Sequence, residues 1–392
     1  MSRGLPAEFA LMAACCRWPR SAARNAAIVA AASEAIDWGR FERVVARHRV
    51  APLARDGLRH ADIAVPSRTA GNLVAAATAA TVKALAMARE TMRLQQELDE
   101  LGISNLSVKG SSLAVLAYGA LGMKEAWDID LLIPAKNILE VQRLLEQRGY
   151  ASSAPMDDAG FERFSQVSKE CIFLNPSLGF AVELHWRLTD NPRLVPGIGL
   201  HSPSQDVQIG GAHVRTLARD SLFAFLCVHG TMHSWSRFKW LADVAAYIDG
   251  NAPAEIERLY RSAVRLGAGR SPAVTFLLCE RLLGLAIPAA LIAEASADRT
   301  SNALADSAFR CMTWRQGAVE FQRRSSPVMR IALSRFFLVP GAPYLWSELG
   351  LKWNSPADRA RWNFPRSLAI LYHFLRIPLW LGRCSKRWLG RT

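Results

Sequence analysis

Several absences narrow the field before any motif is read. Cysteine is sparse and unpatterned: Cys15, Cys16, Cys171, Cys227, Cys279, Cys311 and Cys384 are odd in number, with no CxxC pair and no histidine-rich partner spacing. A disulfide framework and a structural zinc site are therefore set aside. The chain carries no GxxxxGK[ST] phosphate loop, no GxGxxG, no HExxH and no serine-hydrolase elbow, which removes the classes those motifs define. It has no low-complexity tract and no repeat of fixed period. A cleavable signal is also missing, because the apolar stretch from Phe9 to Cys16 is short, follows Glu8 and soon meets Arg17, Pro19 and Arg20. A cytoplasmic protein is the expectation.

What remains is apolar, basic and long. The 392 residues are 51% hydrophobic and rich in Ala and Leu, enough to bury one large core or two to three smaller ones in a mostly helical protein. The net charge of +14 is uneven. From Arg323 to Thr392, thirteen Lys and Arg face two acids, Glu348 and Asp358, a segment charge of +11. Such a block suits a packed helix with a solvated basic face, contact with the inner face of an anionic membrane, or contact with RNA. Its apolar part is interrupted by Arg376 and Pro378 and is too broken to span a bilayer.

Periodicity divides the chain into four parts. Residues 1–101 read as an N-terminal helical region, with Ala22–Ile36, Trp38–Leu58 and Ala70–Leu101 at helical spacing. Residues 102–190 alternate: a strand near Ile103–Val108, a helix over Ser111–Tyr118, a strand over Trp127–Ile133, a helix over Ala135–Gln147, then strands over Phe161–Gln166, Glu170–Leu174 and Phe180–Trp186. Residues 205–337 read as helices completing this core, and 338–392 as a basic, aromatic helical tail. Linkers are expected at the Pro/Gly-rich stretches Asp190–Ser204 and Leu338–Tyr344.

The sharpest local feature is Asp128-Ile129-Asp130 inside Trp127–Ile133. Residues two apart in a strand share a face, so Asp128 and Asp130 present two carboxylates together while Ile129, Leu131 and Ile133 face the core. Paired carboxylates repel unless a cation lies between them, and hard oxygen ligands suit Mg²⁺, or Mn²⁺ in its place, together with substrate phosphates. Upstream, Lys109-Gly110-Ser111-Ser112 stands at a strand-to-helix junction. There glycine allows close backbone approach, hydroxyls reach phosphate oxygens and free helix N–H groups favour an anion. The same residues also make an ordinary helix cap. Downstream, Glu183 shares a strand face with His185 and offers a third metal-binding carboxylate. His185 itself reads more readily as a structural hydrogen-bond partner. His229 and His233, four apart, precede Arg237, Lys239 and Asp243. These belong either to a helix leaning over a nucleotide, with Lys239 or Arg237 on its phosphates, or to a helix that simply packs on the sheet.

Taken together, Val108-Lys109-Gly110, Leu113, Tyr118, Asp128-Ile129-Asp130-Leu131-Leu132 and Val182-Glu183-Leu184-His185-Trp186 resemble the uncharacterised nucleotidyltransferase family of the polymerase-β-like superfamily. Arg47-His48-Arg49-Val50-Ala51-Pro52-Leu53, His229, His233, Trp235 and Lys239-Trp240-Leu241-Ala242-Asp243-Val244 fit the same pattern, so the resemblance covers most of the chain. It implies a mixed α+β fold, predominantly helical, with a small mixed sheet between helical regions. It also implies an enzyme that uses NTP and Mg²⁺ to transfer a nucleoside monophosphate to a protein, peptide, small-molecule or RNA acceptor. On that basis Asp128, Asp130 and Glu183 are the catalytic and metal-binding residues. Lys109, Gly110, Ser111, Ser112, Lys124 and Lys239 bind the nucleotide. Lys124 departs from the pattern, standing where such families carry Arg; a lysine is a point charge without the bidentate guanidinium fork. That departure keeps open the alternative of a catalytically silent binding or scaffold protein.

Overall fold

The structure, a computed structural model, describes residues 5–154, 158–322 and 325–353. It is predominantly helical around one mixed sheet. The chain opens with α1 (Ala7–Cys15), α2 (Ala22–Ala32), α3 (Trp38–His48), α4 (Ala51–His60) and the long α5 (Ser67–Glu100). The apolar period of 38–58 suggests one helix, but the chain makes two. Arg49 closes α3 in a left-handed conformation (φ 56°, ψ 54°), and Pro52 restarts the chain in the first turn of α4. Proline suits that turn, where its missing N–H has no partner to lose, and not a helix interior. By length and composition α5 also meets the requirement of a membrane span. Its C-terminal half, however, is tied to the sheet domain by polar groups: Gln95 exchanges hydrogen bonds with the Arg215 backbone, and Glu90 accepts from Tyr150.

The sheet follows as β1 (Leu106–Ser107), α6 (Ser111–Tyr118), β2 (Asp128–Leu132), α7 (Ile138–Gln147), β3 (Ala151–Ser152), α8 (Asp158–Val167), β4 (Glu170–Asn175), β5 (Phe180–His185), β6 (Ser204–Ile209) and β7 (Ala212–Leu217). Strand order is β3-β4-β5-β2-β1-β7-β6. β2 lies parallel to β5 at its centre, with Asp130 opposite Glu183 and Leu132 opposite His185. Alternation then decides the two faces. Ile129, Leu131, Val182 and Leu184 point into a core shared with Leu94 and Leu98 of α5 and Val141 and Leu145 of α7. Asp128, Asp130, Glu183 and His185 point the other way.

Two strand assignments from sequence need correction. The segment Phe161–Gln166 is helical, within α8. Phe161 and Phe164 are three apart, which a helix places on one face and a strand would not; both rings meet Trp186, at 6.0 and 6.3 Å. Conversely, 204–217, expected to be linker and helix, is the hairpin β6–β7, turning at Gly210-Gly211 and extending the sheet past the expected boundary. Nor does Leu338–Tyr344 behave as a linker. Leu338 and Tyr344 are buried in the main helical core, and the Leu338 carbonyl accepts from the Arg270 N–H at 2.8 Å.

The second helical part comprises α9 (Arg219–Met232), α10 (Phe238–Ile248), α11 (Pro253–Arg265), α12 (Ser271–Leu283), α13 (Ala289–Ala297), α14 (Arg299–Met312), α15 (Ser326–Ser334) and α16 (Ala342–Trp353). The rest of the basic tail lies outside the described residues. α9 and α10 matter most here, because they face the sheet across Asp130. Their joint is set by Trp235, fully buried at positive φ (47°) with its ring against the backbone of Gly230. A Cβ at Gly230 would stand 2.4 Å from that indole. Overpacking of this kind costs about 1–3 kcal/mol, and an immobile ring sets the upper end. Gly230→Ala is therefore expected to lower the urea midpoint by the equivalent of about 3 kcal/mol, whereas an unchanged midpoint would mean the α9–α10 joint is loose.

Candidate active site

The sheet face that carries the acids opens into a cavity of about 270 Å³, roofed by α9 and α10. Asp128, Asp130, Glu183 and His185 form its floor, and Lys109 and Gly110 enter from the β1–α6 junction. Gly110 sits at φ 75°, ψ −125°, a conformation open to glycine and strained for other residues, and no atom lies within 4 Å of where a Cβ would project. No side chain caps the α6 N-terminus that follows. Its first N–H groups keep the free donors and positive dipole end on which anions bind.

Asp130 is the hub. Its Oδ1 lies 2.8 Å from Lys109 Nζ and 3.1 Å from His185 Nε2, while its Oδ2 is buried with no hydrogen-bond partner among the described residues. Burial alone would raise its pKa, but the Lys109 charge and the His185 hydrogen bond outweigh it and hold the carboxyl well below the usual aspartate range. Lys109 responds in kind. Burial would lower it, yet the charges of Asp130, Asp128 and Glu183 hold it above the usual lysine range. Glu183 differs: burial, with the charges of Asp130 and Asp128, raises its pKa against the lowering effect of the His185 contact, with Nε2 3.7 Å from Oε2, and of the Lys109 charge. His185 also reaches Glu170 through Nδ1, at 3.1 Å. For His185, burial and the Lys169 charge are overcome by Asp130 and Glu183, so its pKa is raised.

The donor set fits a hard divalent cation. One ligand atom each from Asp130, Glu183 and His185 lies within 4.8 Å of the others, and the orphaned Asp130 Oδ2 is a buried carboxylate oxygen of the kind a cation satisfies. Asp128 lines the same cavity, two residues before Asp130 on the same face of β2.

The predicted nucleotide-binding residues divide. Lys109, Gly110, Lys124 and Lys239 line the cavity; Ser111 lines a narrow recess beside it, with its Oγ buried and unpartnered. Ser112 turns inward and donates to the Lys109 carbonyl at 3.2 Å, stiffening the turn instead of facing the cavity. Lys124 is buried and ion-paired to Asp243 Oδ2, while Asp243 Oδ1 accepts from Tyr118 at 2.9 Å. Lys239 donates to the Glu125 carbonyl at 3.2 Å, and burial together with the nearby Lys124 charge lowers its pKa to about 7. Arg237 points elsewhere, to Glu320 at 2.6 and 2.9 Å and to the Arg47 carbonyl. Of the two residues offered for phosphate contact, Lys239 or Arg237, the second is thus engaged away from the cavity.

Sequence reasoning missed Arg49 and Lys169. Arg49 lines the cavity with its guanidinium 4.4 Å over the Trp127 ring, and among the described residues it makes no ion pair. The Arg47-His48-Arg49 run was the available signal, but nothing in it tells Arg49 from Arg47, which is buried against the Val319, Met312 and Cys311 carbonyls. Lys169, paired to Glu170, came from a loop with no pattern of its own.

A search of curated protein sequences gives no match to this chain. Residues 34–284, which span α3 through α12 and hence the whole sheet and its roof, match a family described as an uncharacterised nucleotidyltransferase. The α+β architecture, the parallel Asp130–Glu183 register and that match over well more than half of the chain agree: the protein belongs to the uncharacterised nucleotidyltransferase family.

Proposed function

We propose that the chain transfers a nucleoside monophosphate from an NTP to an acceptor hydroxyl or phosphate, with a divalent cation, Mg²⁺ or Mn²⁺, held by Asp128, Asp130 and Glu183. The observation that carries the reading is the parallel β2–β5 register, which sets Asp130 beside Glu183 with Asp128 on the same face, in a cavity also lined by Arg49, Lys109 and Lys239. When bound, such a cation supplies Lewis-acid stabilisation of the charge that develops on the transferring phosphate. The protein's own groups supply the rest. The free α6 N-terminus, Gly110 and Arg49 receive the triphosphate, the guanidinium offering the two-pronged contact that the sequestered Lys124 does not. The acceptor oxygen attacks the α-phosphorus, the bond to the bridging α–β oxygen breaks, and pyrophosphate leaves. Glu183, whose pKa burial raises, accepts the acceptor's proton. Lys109 keeps Asp130 ionised and its carboxylate in place.

Calorimetry tests this directly. NTP is expected to bind at micromolar concentration with Mg²⁺ and at least about tenfold more weakly with EDTA; binding indifferent to EDTA contradicts the reading.

Lys239 adds a pH signature. With a pKa near 7 it is cationic below neutrality and neutral above it, and phosphate contact favours the charged form. Affinity for NTP is therefore expected to fall between pH 7 and 9, by up to about tenfold per unit until the pKa of the complex is reached. Lys239→Met should flatten that slope when the dissociation constant is measured across the range, and an unaltered slope removes Lys239 from the phosphate site.

A further inference from the structure

Besides acids and cations, the cavity is lined by a cluster of rings. His229, in the last turn of α9, and His233, the residue that caps it, have ring centroids 4.9 Å apart. Trp240, in the first turn of α10, meets both of them, at 5.3 and 5.2 Å. Phe225, one turn before His229, lies 5.8 Å from it. All four line the same cavity as Asp128, Asp130 and Glu183, although none is needed to hold a triphosphate or a cation.

Two further facts concern the imidazoles. Burial, reinforced by the Arg335 charge, lowers the His233 pKa to about 3, and burial with the Lys109 charge takes His229 well below its usual value, so both rings are neutral. A neutral imidazole donates from one nitrogen and accepts at the other. Among the described residues the Nε2 of His229 is buried without a hydrogen-bond partner, a costly state that a ligand's polar edge would relieve. No third metal-ligating group joins these two histidines among the described residues, where the one such group is Asp130, Glu183 and His185. The pair therefore suits a neutral, planar, polar-edged ring, stacked on π faces and read at its rim.

We propose that Phe225, His229, His233 and Trp240 form the pocket for the heterocyclic base of the nucleotide. The inference rests on the nucleotidyl-transfer reading above, and it divides the cavity into a triphosphate side at the α6 N-terminus and Arg49 and a base side under α9 and α10. Trp240 supplies the stacking face and His229 the hydrogen bond to the base edge.

Calorimetry on the full chain with Mg²⁺ separates the two sides, using ATP, GTP, CTP and UTP against inorganic tripolyphosphate, which has no base. Wild-type protein is expected to bind at least one NTP about tenfold or more tightly than tripolyphosphate. Trp240→Leu and His229→Ala should each lose about tenfold or more of that NTP affinity, the range of one base–aromatic contact. Both should hold tripolyphosphate within about twofold of wild type, which also shows that the site is folded, and Trp240→Phe should recover most of the loss. Equal affinity of the wild type for NTP and tripolyphosphate overturns the base pocket alone, as does a parallel loss of both ligands in the variants. Wild-type protein that binds neither ligand overturns the base pocket and the nucleotidyl-transfer reading together.

Discussion

Replacing Asp128 and Asp130 together by Asn is expected to reduce NTP-dependent transfer by about a thousandfold or more. The substitution keeps size and hydrogen-bonding shape but removes two charges from the face proposed to hold the cation against the α-phosphate. Electrostatic stabilisation of that kind supplies several kcal/mol, and each 1.36 kcal/mol is tenfold in rate. The two positions differ in what else they do. Asp130 neutralises Lys109 at 2.8 Å and bonds His185 at 3.1 Å, so Asp130→Asn leaves a buried lysine without its counter-charge and lowers stability as well as activity. Asp128 makes no ion pair among the described residues and is half-buried. Asp128→Asn should therefore melt within about 2 °C of wild type while losing most transfer. Transfer rates and melting curves measured on both single variants distinguish a chemical role from a structural one, and full activity in the double variant would dismiss the acids.

A second large effect is structural and lies at the buried Lys124–Asp243 pair. Asp243→Ala is expected to cost about 3–5 kcal/mol, because it strands the buried Lys124 ammonium and leaves the Tyr118 hydroxyl without its acceptor. Replacing both partners by apolar residues of similar volume, Lys124→Met with Asp243→Leu, should recover most of that loss, as buried pairs often tolerate such exchange. The double-mutant cycle, read from urea midpoints, gives the coupling. A coupling near zero would mean that Lys124 is not held by Asp243 and is free to reach phosphate. Lys124 thus serves as a strut between the loop before β2 and α10, while Arg49 keeps its guanidinium at the cavity.

The parts of the site that sequence makes legible are those governed by period and local caps. Asp128 and Asp130 two apart in an apolar run, Glu183 and His185 two apart in another, and Gly110 before a helix each carry their meaning within a few residues. The helix Ser111–Tyr118 and the strands β2, β4 and β5 follow from the same signals. What stays hidden is set by tertiary pairing. Lys124 meets Asp243 across 119 positions, and the Arg49 guanidinium covers Trp127, in the loop before β2 far downstream. Ser111 and Ser112 are alike in sequence, yet one lines a recess and the other bonds its own turn, since hydroxyls serve caps and phosphates equally well. The hairpin β6–β7 stays hidden although Gly210-Gly211 is a turn signal, because the expected linker ends at Ser204 and the residues beyond it read as the start of the helical region.

The central claim is that this site moves the α-phosphate of an NTP. Parallel incubations with α-³²P-labelled and γ-³²P-labelled NTP, Mg²⁺ and a cell extract supplying acceptors test it most directly. The account predicts that α label becomes attached to an acceptor while γ label is released as pyrophosphate, and that both signals disappear in the Asp128→Asn, Asp130→Asn protein. Attachment of γ label, or no release of pyrophosphate from any NTP, would contradict it.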